Sequence, residues 1–408
     1  MTNNIKLPEI LSPAGNYEKL EFAVRYGADA VYLAGNAFGM RAAADNFDAD
    51  EMKRAVEFAH SKGVKIYVTV NTMPRNHDIE CLPEYLCQLK EAAPDAVIVA
   101  DLGVFGMAKK YLPDTDIHIS TQGANFNYET CRIWHEMGAK RIVLARELTL
   151  DEIAEIRAKT PKTLELEAFV HGSMCVSISG RCLLSDYYTG RGANEGKCTQ
   201  PCRWVYHFAE EKRPEDVLTG EVYPEGTYIF GSKDMCMVSH IDKLTSAGID
   251  SLKIEGRMKS AYYTAVVTNA YRMAMNDFAE GKPFNEAILR ELDSVSHREY
   301  CTGYYFDVTT EEPNLASSVG YIGEKSFLSV ITDYDAEKGL AKCYQKNKMI
   351  SGDTARFLTP GKTATEFTIG KIYDADMNPI ESTPHARMEF YLEVPFAVQN
   401  GDIITSAK

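Results

Sequence analysis

Four cysteines, Cys175, Cys182, Cys198 and Cys202, fall in one central window as a C-x6-C pair followed by a C-x3-C pair. Thiolates are soft donors, and closely spaced pairs brought together by a fold are how chains bind zinc or iron–sulfur clusters. Spacing alone does not separate those two, and a set of buried thiols has the same pattern. Cys236, in SKDMCMVSH, is a fifth candidate, either an alternative ligand or a core thiol of a following helix. Cys81, Cys87, Cys131, Cys301 and Cys343 are scattered. Glycines at 172, 180, 190, 192 and 196 let backbone approach a bulky group in the window.

Charged and aromatic residues surround this window. Glu167 and His171 precede it at the end of an apolar run, and a carboxylate beside an imidazole can move protons, which marks them as catalytic candidates. The bland alternative is an arginine partner for Glu167 and a backbone hydrogen bond for His171. Lys253, Glu255, Arg257 and Lys259 form a second charged group, suited to a phosphate or carboxylate of a bound small molecule or to ion pairs that close a barrel. Arg181, Arg191 and Arg203, with Tyr187, Tyr188 and Trp204, combine cations with aromatic faces, as an unstacked base and its phosphates require. Asn71, His118, Gln122, Asn125 and Glu147 are weaker pocket candidates. Neither H-E-x-x-H nor G-x-S-x-G is present, so the usual motifs of zinc and serine peptidases are missing.

The elements that position these residues alternate. Apolar runs at 9–14, 30–35, 65–71, 96–101, 117–122, 141–146, 164–172 and 251–256 read as strands. Segments of helical period lie between them, as at 16–27, 48–63 and 148–160. Eight such units suit a closed TIM-like β/α barrel. An open doubly wound sheet is disfavoured because the first strand ends in SPAGN, without a glycine-rich phosphate fingerprint. Residues 173–250 break the rhythm as a long cysteine-rich insertion after strand seven, which places the thiols at the barrel mouth. A long helix is expected over 258–281. From 318 to 408 short alternating runs separated by Gly, Pro, Asn and Asp read as a small antiparallel β-barrel domain, with GD turns at 352–353 and 401–402. The barrel domain is expected to span 1–310.

Composition sets outer limits. The chain has 408 residues, 45% hydrophobic and 25% charged, which is ordinary for a globular protein with more than one domain. No apolar run reaches membrane length and the N-terminus has no basic-then-apolar leader, so no membrane partner and a cytoplasmic location are expected. In a reducing compartment the ten cysteines read as thiols or ligands rather than disulfides. A net charge of −14 disfavours loose wrapping of nucleic acid by the whole surface and requires a local basic patch for any RNA partner.

The stretch EAFVHGSMCVSISGRCLLS (167–185) closely resembles the signature of peptidase family U32, the collagenase-like proteases. The likeness extends to ILSPAGNYEKLEFAVRYGADAVYLAG, GKCTQPCRW, SKDMC and SLKIEGRMKS, and the trailing β domain resembles the family's elongation-factor-like C-terminal barrel. The branch it resembles most implies oxygen-independent hydroxylation of a tRNA wobble uridine to 5-hydroxyuridine. That resemblance implies a 4Fe-4S cluster on Cys175, Cys182, Cys198 and Cys202, with Cys236 as alternative ligand, and prephenate as small-molecule hydroxyl donor. It also implies tRNA as partner and a related family member as a second protein partner. The family name carries the rival expectation of a peptidase acting through a metal or thiolate at the same cysteines. A third expectation is a binding protein whose cluster only stabilises the fold.

Overall fold

The structure is a computed structural model that describes residues 6–40, 45–204, 206, 209–210, 213–217, 232–306, 321–323 and 325–407. The expected boundaries at 1, 310, 318 and 408, and part of the 173–250 insertion, lie outside the described residues.

Eight parallel strands form the first body: β1 (Glu9–Pro13), β2 (Ala30–Leu33), β3 (Lys65–Val70), β4 (Ala96–Val99), β5 (Asp116–Ile119), β6 (Arg141–Val143), β7 (Glu165–Ser173) and β8 (Ser251–Ile254). Each pairs with the next, and β8 pairs with both β7 and β1, so the sheet closes. Helices connect consecutive strands, with starts specified locally. Asn16 accepts from the Lys19 N–H ahead of the helix Tyr17–Arg25, and Asp48 with Glu51, like Thr149 with Glu152, forms a reciprocal capping box.

Alternation along the strands sorts the core into two parts. Ile10, Val31, Leu33, Ile66, Val68 and Val97 point out against the helices. Leu11, Ala30, Tyr32, Tyr67, Ala96 and Ile98 pack separately inside the barrel. The expected strands overrun the observed ladders mainly at their C-terminal ends. Asn71, Gln122, Arg146 and Glu255 lie just past the last paired residues, where the chain turns into the mouth loops.

β7 is the long strand, because its last residues continue beyond the barrel rim. There Asp234–Cys236 pairs antiparallel with His171–Ser173, and Tyr300–Cys301 adds in parallel on the far side. Cys236 therefore sits on a short strand, which corrects its expected place in a helix. The periodicity after it belongs to the separate helix Ile241–Ser246. The expected long helix is observed as Ala261–Ala279.

The C-terminal residues form a curled antiparallel sheet of eight strands, from Phe327–Asp335 to Ile403–Ser406, around its own apolar cluster that includes Ile331, Phe357, Phe390 and Leu392. Both expected GD turns are present, with Gly352 and Gly401 at φ of +89° and +83°, a region open to glycine. Arg25–Asp402 (2.6 Å) and Arg356–Glu291 (2.7 Å) join this sheet to the barrel helices.

Candidate functional site

Polar residues inside the barrel are layered from the floor upward. On the floor Arg141 reaches Glu9 at 2.7 Å, Glu165 at 2.7 Å and Glu167 at 3.0 Å. One layer higher the other oxygen of Glu167 accepts from Lys253 Nζ at 2.7 Å. Tyr67 donates to Glu9 at 2.9 Å, and the Tyr67 ring carries the Arg141 guanidinium at 5.1 Å. Burial acts most strongly, to raise the Glu9 carboxyl, but Arg141, Lys65 and Tyr67 together outweigh it and hold it below the ordinary range. Burial lowers Lys253, against the pull of Glu167. Glu167 is 0% exposed with an oxygen on each cation, so its arginine partner is real and its present task is to hold two buried charges. His118 shares this interior, 4.7 Å from Tyr67 ring to ring, and burial keeps it neutral.

Above this network a pocket opens at the C-terminal ends of the strands. It is lined by Tyr32, Thr69, Asn71, Ser120, Gln122, Arg146, Phe169, Lys253, Glu255 and Arg257, among others. Three cations, from Lys253, Arg257 and Arg146, thus face one carboxylate, Glu255, whose Oε2 accepts from Tyr32 at 3.3 Å. The Arg146 guanidinium lies 4.1 Å over the Phe169 ring and donates to the Ser173 carbonyl at 2.8 Å, tying the pocket to the end of β7. Arg146, Ser120, Tyr32 and Thr69 were not singled out from the sequence. The signal was available for Arg146, which follows β6 as Gln122 follows β5 and Asn71 follows β3. Asn125 is spent on the Ser120 and Val143 carbonyls at 3.0 Å each.

His171 does not line this pocket. Strand alternation places it inward with Glu167 and Phe169, but the pairing of β7 with β8 slips between Lys253 and Ile254, leaving one extra residue on β7. This bulge reverses the parity, so His171 pairs with outward-facing Ile254 and packs among Tyr263, Tyr271 and Tyr300. Burial, helped by the charges of His297 and Lys259, pulls its imidazole down to about 3, which leaves it neutral.

The cysteine window extends across the mouth from β7. Gly180, at φ +76°, lies so close to the loop after β5 that a Cβ would stand 2.3 Å from the Gln122 carbonyl oxygen. Farther on, the Asn194 carbonyl accepts from the Met73 N–H at 3.0 Å, and Glu195 meets Arg75 at 3.6 Å, on the loop after β3. The Ser185 hydroxyl joins the two cysteine pairs, donating to the Arg191 carbonyl at 2.6 Å and accepting from the Thr199 N–H at 3.0 Å.

Within this frame the Cys202 thiol is pushed up first by burial; Arg203 opposes, and Cys175, Cys198 and Cys182 add to the rise. The four sulfurs are therefore electrostatic neighbours. All four are free thiols, and Cys198 Sγ accepts from the Gln200 backbone N–H at 3.4 Å. Cys236 is elsewhere: burial pushes it up to about 12, and the thiol near it is Cys301. Among the described residues no three His, Cys, Asp or Glu side chains gather tightly enough for a single metal ion.

Beside the thiols lies an exposed aromatic group. Tyr188 contacts Tyr187 (5.2 Å), Trp204 (6.1 Å) and Tyr206 (6.1 Å) ring to ring, and Tyr187, Tyr188 and Trp204 are all exposed. Arg181 and Arg191 are exposed on the same excursion. No helix among the described residues is long and apolar enough to cross a membrane.

Residues 15–314 match the family model described as Peptidase family U32, and residues 324–405 match the one described as Peptidase family U32 C-terminal domain. A Haemophilus influenzae protein named tRNA hydroxylation protein P is 35% identical, with 97% of this chain and 95% of that protein covered. tRNA hydroxylation protein P1 of Bacillus subtilis is 37% identical, over 93% of this chain and 90% of its own. The 23S rRNA 5-hydroxycytidine synthase of Escherichia coli is 36% identical, over 67% of this chain and 40% of its own.

Proposed function

The chain belongs to peptidase family U32, and from that membership we propose that it is an RNA-modifying enzyme that hydroxylates a tRNA wobble uridine to 5-hydroxyuridine without molecular oxygen. Supporting this reading, the charges of Cys175, Cys198 and Cys182 reach the Cys202 thiol, in a chain of which 97% aligns with 95% of a relative named for tRNA hydroxylation. Cys175, Cys182, Cys198 and Cys202 would hold a 4Fe-4S cluster, with Cys236 left to the core. When bound, the cluster supplies a redox-active, Lewis-acidic centre beside the substrate.

The rest of the site has roles of its own. Lys253, Arg257 and Arg146 attract a carboxylate of the hydroxyl donor, for which prephenate is our candidate, while Glu255 and Asn71 fix its orientation by hydrogen bonds. Glu167 keeps Lys253 charged and in place from below. His171 acts at one remove, as a neutral ring supporting the end of β7. Arg181, Arg191 and Arg203, with Tyr187, Tyr188 and Trp204, provide charge and stacking surface for an unpaired base. The C-terminal sheet extends the RNA-facing surface, and a related family member is a candidate protein partner.

Nucleoside mass spectrometry of tRNA tests the reading. In a strain lacking this gene and its paralogues, nucleosides derived from 5-hydroxyuridine disappear, and Cys202→Ser fails to restore them. Unchanged nucleosides in that strain would overturn it. A protein that purifies anaerobically with zinc instead of iron and sulfide, and whose peptide cleavage is lost in Cys175→Ser, would favour the peptidase instead.

A further inference from the structure

The two basic segments flagged in the sequence, 181–203 and 253–259, are far apart along the chain, and residues outside both join them. Arg298 lies beside the cysteine excursion: its guanidinium is held below the ordinary range by burial and then by the charge of Arg203, and Cys202 is also among its neighbours. The same guanidinium lies 5.2 Å over the ring of Tyr321, which is exposed. Lys259 Nζ lies 4.4 Å over that ring and donates to the Ser296 carbonyl at 2.8 Å. Arg298 donates in turn to the Ser232 carbonyl at 3.4 Å.

An aromatic ring gathers cations through its quadrupole without cancelling their charge, so the Asp234 carboxylate, which takes the Arg298 backbone N–H at 3.2 Å and acts on its guanidinium, is set against two cations. Lys259 and Arg298 are thus drawn together on Tyr321, in a chain whose net charge is −14. Like charges held this close favour an anion between them. Tyr321 is exposed, and Trp204, two residues on from Cys202, is exposed against Tyr188, so a polyanionic strand with bases to stack fits both features.

We infer that Tyr321, with Lys259 and Arg298, forms a phosphate clamp for the backbone of single-stranded RNA beside the cysteine centre. The inference rests on the hydroxylase reading and adds to it where the strand is gripped. Bases stack on the Tyr188–Trp204 side, while the clamp takes the phosphate next to the nucleotide presented to the mouth.

The test uses the full-length protein purified anaerobically and an unmodified anticodon stem-loop RNA, with affinity measured by fluorescence anisotropy from low to high salt. Arg298→Gln removes one phosphate contact, so the slope of log affinity on log salt falls in magnitude by about 0.7 and binding weakens about fivefold at roughly 0.1 M salt. Tyr321→Ala releases both cations and weakens binding about twentyfold on the same basis. Tyr321→Phe keeps the ring and binds like the unaltered protein. If the protein binds RNA but Arg298→Gln and Tyr321→Ala leave affinity and salt slope unchanged, the clamp is wrong and the hydroxylase reading survives. If Tyr321→Phe binds as poorly as Tyr321→Ala, the hydroxyl is the active part and the clamp is likewise overturned. A protein that binds no RNA and whose deletion leaves tRNA nucleosides unaltered removes both.

Discussion

The barrel floor and the cysteine excursion are both rich in groups that could do chemistry, yet they solve opposite problems. On the floor Glu9, Arg141, Glu165 and Glu167 are buried or partly buried and matched charge to charge at 2.7–3.0 Å. In the excursion four soft donors face one another at half-exposed or exposed positions, held by short turns and a serine hydroxyl rather than by an apolar core. The difference teaches how to read a reactive residue. A charged group whose partners are already in the chain is holding the structure, whereas thiols at exposed positions outside the apolar core remain open to chemistry.

Removing Cys202 tests the contrast most severely. Cys202→Ser abolishes iron and sulfide in the anaerobically purified protein, while the urea midpoint of the barrel is unchanged; Cys236→Ser keeps the iron. Loss of iron in the Cys236 variant alone would reverse the ligand assignment. Arg141→Ala does the converse. It leaves buried carboxylates uncompensated and costs roughly 3–5 kcal/mol in urea unfolding, whether or not the cluster is present.

Gly180→Ala probes the seam between the two regions. Its Cβ would meet the Gln122 carbonyl and its positive φ disfavours a side chain, so the excursion lifts from the loop after β5 at a cost of about 1–3 kcal/mol. Proteolysis of the native protein reads this as faster cleavage near 175–204, with the barrel intact.

At neutral pH the pH dependence of the rim has the smallest effect, and it grows only in acid. His171 is depressed to about 3 from an ordinary 6.5, so the unfolded chain takes up a proton that the folded one refuses once pH drops below 6.5. Its contribution is therefore flat above that pH and is lost as pH falls toward 3, at about 1.4 kcal/mol per pH unit. Unfolding measured across this window has a shallower slope in His171→Phe by the equivalent of one proton, with His118, also depressed by burial, supplying a remaining part.

Much of this was legible in the residues. Strand periodicity found all eight barrel strands because each alternates a helix-facing apolar residue with an inward one, and the long departure after β7 announced the excursion. Strand ends were less legible, since Asn71, Gln122 and Arg146 continue an extended run after the ladder has stopped. Parity failed at His171, because a bulge depends on how two strands register and leaves no mark in either one. Arg298 and Tyr321 carried no local signal at all.

By itself the sequence determined the repeating β/α order, the crowding of thiols into one loop and the family to which the chain belongs, all of which follow from neighbours along the chain. Only the tertiary structure decided that Glu167 is bound between two cations, that His171 turns away from the mouth, that Cys236 is buried on a short strand beside Cys301, and that Lys259, Arg298 and Tyr321 share one surface. Those outcomes depend on strand register and loop placement across more than a hundred residues, and contacts over such separations are set by packing, not by local preference.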